Sequence, residues 1–212
     1  PGTLQHSLNV ANMCEQAARR IGADALLVKT AALYHDIGKT ANPEFFIENQ
    51  SGHNPHDDID TLTSAKIIIG HVTEGVKMAK KAGMPELLIH FIRTHHGDTR
   101  AEYFYRTYLT NHPDEEVDES LFRYPGPRPV SKEETILMLA DSTEAACKSL
   151  QNPSAEELEE FIDRIFAGKL TSGQLTESKL SFQELEICRA TFRNILKSVH
   201  HVRISYPKDK DE

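Results

Sequence analysis

The chain has 212 residues, 39% of them apolar, enough for one sizeable core within a single compact domain. Its formal net charge of −8, with no long Lys/Arg run, argues against wrapping a nucleic-acid polymer through phosphate contacts and leaves room for a small anion at a local positive centre. Three cysteines (Cys14, Cys147, Cys188), odd in number and without a CxxC pair, argue against a disulfide scaffold or zinc knuckle and read as buried thiols in a reducing compartment.

The sequence starts at Pro1, without methionine, and enters a helical pattern within three residues, which suggests a domain of a longer protein. Apolar residues recur at helical spacing in Leu4, Leu8, Ala11, Cys14, Ala18 and Ile21, with Gly22 as the C-cap. A second helix is expected over 24–35, followed by a polar loop over about 43–60. "TSAKIIIGHVTEGVKMAKKAG" and "PELLIHFIRTHH" predict two more helices, the latter with proline in its first turn. Three later helices are marked by the pairs Ser131/Glu134, Ser154/Glu157 and Ser181/Glu184, each fitting the capping box in which two side chains satisfy free amides at a helix start. Residues 97–130 read as an irregular insert carrying four of the six tyrosines, and a connection this long inside a domain is more often functional or mobile than idle. "HHVRISYP" can form a short extended piece, with 208–212 as a solvated tail after a domain of 1–207. No apolar run approaches the ~20 residues of a membrane span, so this piece itself reads as soluble. The fold class expected is all-α.

The chain carries 11 histidines, and several stand at helix ends. His6 lies in the first turn of the first helix, His35 and Asp36 end the second, His71 sits within the third, His95 and His96 end the fourth, and Asp141 interrupts the apolar "TILMLADSTEAA". Singly, each has a plain reading as a satisfied core or solvated surface residue. Metal coordination would unite them. Imidazole and carboxylate together suit first-row divalent ions, and one carboxylate can bridge two. Five histidines and two aspartates are too many for one tetrahedral zinc but suit two octahedral ions with open positions. In that reading Asp36 bridges, His6, His35 and Asp141 complete one site, and His71, His95 and His96 complete the other. Iron and manganese fit so histidine-rich a set.

The order His6, His35-Asp36, His71, His95-His96, Asp141 resembles the HD-domain metal-dependent phosphohydrolases, and the paired form resembles their dinuclear branch. More narrowly, "HSLNVANMCEQAA", "YHDIGKTANPEFFIENQ", "NPHDDID", "SAKIIIGHV", "THHGDT", "FRYPGPRP", "MLADSTEAA" and "TSGQLTES" resemble the cytoplasmic HD domain of seven-transmembrane PgpH-type cyclic di-AMP phosphodiesterases. The resemblance implies a helical bundle around a dinuclear centre, hydrolysis of cyclic di-AMP to pApA by metal-activated hydroxide, and the cytoplasmic part of a bacterial membrane protein. Two departures stand out. The Gly-Tyr-Pro signature of the related cyclic di-GMP enzymes is missing after the double histidine, where the chain reads "HHGDTRAEYFY", and Asp58 stands in "NPHDDID" where lysine is expected.

Lys39, just past the ligands in "HDIGK", can stabilise charge on the phosphate, largely on the strength of the resemblance; otherwise it is a solvated lysine after a helix-ending glycine. Arg93, His53 and His56 are weaker candidates, His56 as an orienting partner of a ligand. Tyr103, Phe104, Tyr105 and the "FRYPGP" run, with Arg123 and Tyr124, offer rings and charge to an adenine, or else clamp the insert onto the helices. Competing functions are a hydrolase of cyclic di-GMP or a nucleoside monophosphate, a dinuclear iron oxygenase of the same superfamily, and a nucleotide-sensing module without turnover. No ligand-type residue is missing, which disfavours the last.

Overall fold

The computed structural model describes residues 2–150 and 153–199, and over them the chain is all-α, with eight α-helices and short 3₁₀ turns. The expected extended piece at 200–207 and the tail at 208–212 lie outside the described residues.

Helix α1 spans Gly2–Ile21 and ends at Gly22 with φ +71°, a left-handed residue that glycine takes without a Cβ penalty. Helix α2 (Ala25–Tyr34) is capped by Asp24, whose side chain accepts from the Leu27 amide at 2.9 Å. Four 3₁₀ turns, Ile37–Ala41, Pro43–Phe45, Ile47–Asn49 and Pro55–Asp58, carry the chain to α3 (Thr61–Lys81), which Asp60 caps in the same way. Pro85 precedes α4 (Glu86–Thr94). Helices α5 (Glu102–Asn111), α6 (Lys132–Cys147), α7 (Ala155–Thr171) and α8 (Phe182–Val199) follow. All three expected capping boxes form: Ser131 with Glu134, Ser154 with Glu157, and Ser181, whose amide donates to Glu184 while its hydroxyl accepts from the Glu184 amide.

Helix α6 is the centre of the bundle. Ile136, Leu137, Met138, Leu139 and Ala140 are all fully buried, so this stretch of the helix is enclosed on every side. Helix α1 packs on it together with α2 and α8, and α7 covers a further side. The three cysteines lie free and buried in this core.

Two expectations need correction. Leu4 and Leu8 are 62% and 47% exposed, whereas His6 and Ser7 are buried. The inner face of α1 is therefore rotated from the apolar stripe, because the helix must also present His6 to α6. The insert at 97–130 is not irregular throughout. It contains α5, and its flanks pair through Tyr124 N to Thr99 O (2.9 Å) and Gly126 N to Gly97 O (3.0 Å). Helix α5 buries no residue fully.

Candidate metal centre

Five elements deliver polar side chains to the inner end of the bundle. Helix α1 brings His6, the end of α2 brings His35 and Asp36, α3 brings His71, the end of α4 brings His95 and His96, and α6 brings Asp141. His6, His35, Asp36, His71, His95 and Asp141 are all buried, and His96 is partly exposed. One glycine makes the convergence possible. A Cβ on Gly38 would lie 1.8 Å from the His71 carbonyl oxygen, so only glycine lets the turn after Asp36 approach α3.

The ligand-type atoms fall into two groups, His6, His35, Asp36 and Asp141 in one and His71, His95 and His96 in the other. Asp36 faces both. Its Oδ2 lies 3.4 Å from His6 Nε2 and 3.3 Å from His35 Nε2, while Oδ1 lies 3.3 Å from His71 Nε2 and 3.7 Å from His95 Nε2. Asp141 Oδ1 is 2.9 Å from His6 Nε2 and 3.5 Å from His35 Nε2. Two ligands at right angles on one ion, each ~2.1 Å from it, stand about 3 Å apart, which is the scale of these separations. His35, His71 and His95 each donate Nδ1–H to a carbonyl three residues back, on Ala32 (2.7 Å), Ile68 (2.6 Å) and Ile92 (2.8 Å). That fixes the tautomer and turns Nε2 inward, as metal-binding imidazoles require.

The donor set fits a cation. His35 Nε2 and both carboxylate oxygens of Asp36 are buried without a hydrogen-bond partner, and leaving such groups unpaired costs several kcal/mol. Burial alone would raise the carboxyl pKa of Asp36, but the charges of His35 and Lys39 hold it well below the usual range. Asp141 behaves alike, its burial outweighed by the neighbouring imidazoles of His35 and His6. For His6, burial opposes protonation, yet bonds to Asp141 and Glu144 carry its pKa up to about 9. His35 rises to about 10, against burial, chiefly through the charge of Asp36. On the other side burial, with repulsion from His35 and His71, pushes His95 down to about 3. Positive charge is thus drawn to the carboxylate side, and His95 stays neutral, the form in which imidazole binds metal.

Lys39 is not the solvated lysine of the plain reading. Its Nζ lies 2.7 Å from Asp36 Oδ2, outside hydrogen-bond alignment, and 2.9 Å from Glu48 Oε1, with the Phe46 ring 5.2 Å away. Burial opposes its charge, but Asp36 and Glu48 raise its pKa above the usual lysine range.

The other candidates divide. Tyr124 reaches the centre, its ring 4.2 Å from that of His96 at 31°. Tyr103 is 74% exposed, beside Phe104. Tyr105 carries the Arg100 guanidinium 3.9 Å above its ring and touches Phe122. Arg123 binds Glu119 and donates to the Asp98 carbonyl. Arg93 pairs with Glu86 on its own helix at 2.6 Å. His56 donates Nε2–H to the Phe45 carbonyl and packs on Phe104, and none of these contacts orients a ligand-type residue. His53 pairs with Asp58 on the exposed loop at 2.7 Å.

Several residues of the site escaped the sequence reading. Glu144 accepts from His6 Nδ1 at 2.5 Å and from Asn9 Nδ2 at 2.9 Å, so it orients His6 as the carbonyls orient the other imidazoles. Phe46 covers the His71 ring at 5.7 Å. Behind the double histidine, Gln174 and Asp98 exchange two hydrogen bonds, and Arg128 donates to both Asp98 oxygens. These three come from "GDT", "PGPRP" and "SGQL", motifs whose meeting only the fold reveals.

The HD domain family model matches residues 3–146. The chain is 42% identical over 209 residues to cyclic-di-AMP phosphodiesterase PgpH of Bacillus subtilis (strain 168), covering 98% of this chain and 29% of that protein. It is 42% identical over 212 residues to cyclic-di-AMP phosphodiesterase PgpH of Listeria monocytogenes serotype 1/2a (strain 10403S), covering 100% and 29%. It thus spans under a third of the length of these relatives. Among solved structures, the crystal structure of the L. monocytogenes phosphodiesterase PgpH HD domain in complex with cyclic-di-AMP superposes with a TM-score of 0.90 at 41% identity, covering 97% of this chain and 95% of that one.

Proposed function

The chain belongs to the HD-domain family, and from that premise we propose that it is a phosphodiesterase domain hydrolysing cyclic di-AMP to pApA, the cytoplasmic part of a longer bacterial membrane protein. The observation that carries this reading is Asp36, whose two buried oxygens each face a separate group of imidazoles. The cyclic-di-AMP phosphodiesterases that match nearly the whole chain support the choice of substrate. Among the described residues no helix is long and apolar enough to cross a membrane, so anchoring would fall to other parts of the protein. The domain is taken as 1–207, with 208–212 as its tail.

His6, His35, Asp36 and Asp141 would hold one divalent ion and Asp36, His71, His95 and His96 the second, with iron or manganese best suited to the imidazole-rich set. When bound, such a pair lowers the pKa of water toward ~7 and offsets the charge of a phosphodiester. The protein's own residues do the rest. Asp36 sets the spacing of the two groups, and Glu144 and the i−3 carbonyls hold the imidazoles in orientation. Lys39, held between Asp36 and Glu48, is placed to meet a nonbridging phosphate oxygen as negative charge develops there. Phe46 and Tyr124 shield His71 and His96 from bulk water. In the reaction one P–O3′ bond breaks, water supplies hydroxyl to phosphorus, and its second proton ends on the departing ribose oxygen.

The test is anaerobic incubation of the Mn²⁺- or Fe²⁺-loaded domain with cyclic di-AMP, cyclic di-GMP and a nucleoside monophosphate, with products resolved by chromatography. Cyclic di-AMP should yield pApA without dioxygen. Turnover confined to another nucleotide, or dependent on dioxygen, would overturn the reading.

A further inference from the structure

A cleft of about 610 Å³ opens between α7 and the 99–123 segment, next to the metal centre but outside it. Ser142, at its α6 wall, follows Asp141, and Thr99, at its other wall, lies three residues past His96. The volume lies in the range of small-ligand clefts, and this one is broad and open to solvent. Four cations line it. Arg100 is bound by Glu102 and Glu119, and Arg123 by Glu119. The other two, Arg164 and Lys169, have no carboxylate within 4.0 Å among the described residues; the Arg164 guanidinium only stacks 5.1 Å over Phe161. They lie five positions apart on α7, with Gly168 between them contributing no side chain to the wall. Lys169 is half-buried, and burial, only partly opposed by the charge of Asp141, holds its pKa below the ordinary value. A half-buried ammonium without a counter-ion is costly, and an anion in the cleft would relieve that cost.

The reading rests on the proposed hydrolase function. A cyclic dinucleotide carries two phosphodiesters on one ring, so when one lies at the metal centre the other must lie within a nucleotide's length of it. We propose that the cleft between α7 and the 99–123 segment is the subsite for this second, uncleaved phosphate, with Lys169 and Arg164 as its cations. Lys169 is then a specificity residue. It contributes to binding dianionic cyclic dinucleotides and is indifferent to a single phosphodiester.

The experiment compares wild type, Lys169→Met and Lys169→Arg at measured metal content, on cyclic di-AMP and on bis(p-nitrophenyl) phosphate, which has no second phosphate. Lys169→Met keeps most of the apolar stem. It should raise KM for cyclic di-AMP about ten-fold or more with kcat nearly unchanged, as loss of a charge-assisted contact predicts. Its metal content and kinetics on the single diester should match wild type, and Lys169→Arg should restore most of the KM. An unchanged KM in Lys169→Met, or equal losses on both substrates, overturns the subsite while leaving the hydrolase function standing. A wild type that cleaves bis(p-nitrophenyl) phosphate but no cyclic dinucleotide overturns the function itself, and the subsite with it.

Discussion

His6, His35, Asp36 and Asp141 bring two carboxylates to one half of the centre, whereas His71, His95 and His96 bring only imidazoles to the other and share Asp36 across the gap. The carboxylate half is fully buried and has Glu144 behind His6. The imidazole half is partly open at His96 and is braced by carbonyls, Phe46 and Tyr124. Charge accounts for the difference in behaviour to be expected. A divalent ion in the first half would meet the whole charge of Asp141 and a share of Asp36, but in the second half only the remaining share of Asp36. The first ion should therefore bind more tightly, and the second should govern whether the centre is active.

Asp36→Ala breaks that comparison most severely, since it removes the single group common to both halves. At least one ion should be lost, with hydrolysis at background. Metal analysis checks this, and two tightly held ions per chain in the variant would refute the bridging role. His95→Ala and His96→Ala should instead deplete the second ion while sparing the first.

A smaller effect separates the halves from the other side. Glu144→Gln keeps the shape but weakens the charge-assisted bond from His6 Nδ1. Affinity for the first ion should fall ~10–100-fold, the usual cost of losing an orienting partner. A competitive chelator titration should show that half, and not the imidazole half, releasing its metal earlier. Simultaneous release of both ions would mean that Glu144 does not act through His6.

How far each half could be read from the sequence follows from its chemistry. The seven ligand-type residues were legible because histidines and aspartates at helix ends conflict with apolar faces, and the metal centre that they imply is carried by residue identity. The helices were legible from period and capping boxes. Glu144 was not, because one glutamate among many on a helix carries no mark until His6, 138 residues away, is placed against it. Nor was helix α5, whose aromatic and polar residues lack a buried stripe. The roles of Arg93, Tyr105 and Arg123 depend on which neighbour satisfies them. The fold supplies Glu86 for the first, Arg100 and Phe122 for the second, and Glu119 for the third.

A third effect concerns the ring beside His96. If Tyr124 also stacks an adenine, Tyr124→Ala should weaken cyclic di-AMP binding by ~1–3 kcal/mol, about five- to 150-fold, and barely affect a base-free diester. Lys39→Ala should lower turnover of both substrates, because its Nζ lies beside Asp36 rather than among the rings. Equal loss on both substrates in Tyr124→Ala would restrict that ring to shielding His96.

The most direct measurement is an anaerobic titration of metal-free protein with Mn²⁺, following cyclic di-AMP hydrolysis and bound metal together. Two halves sharing Asp36 predict little turnover at the first equivalent per chain and a rise that saturates at the second. Full turnover at one equivalent, or none at two, would contradict a dinuclear hydrolytic centre.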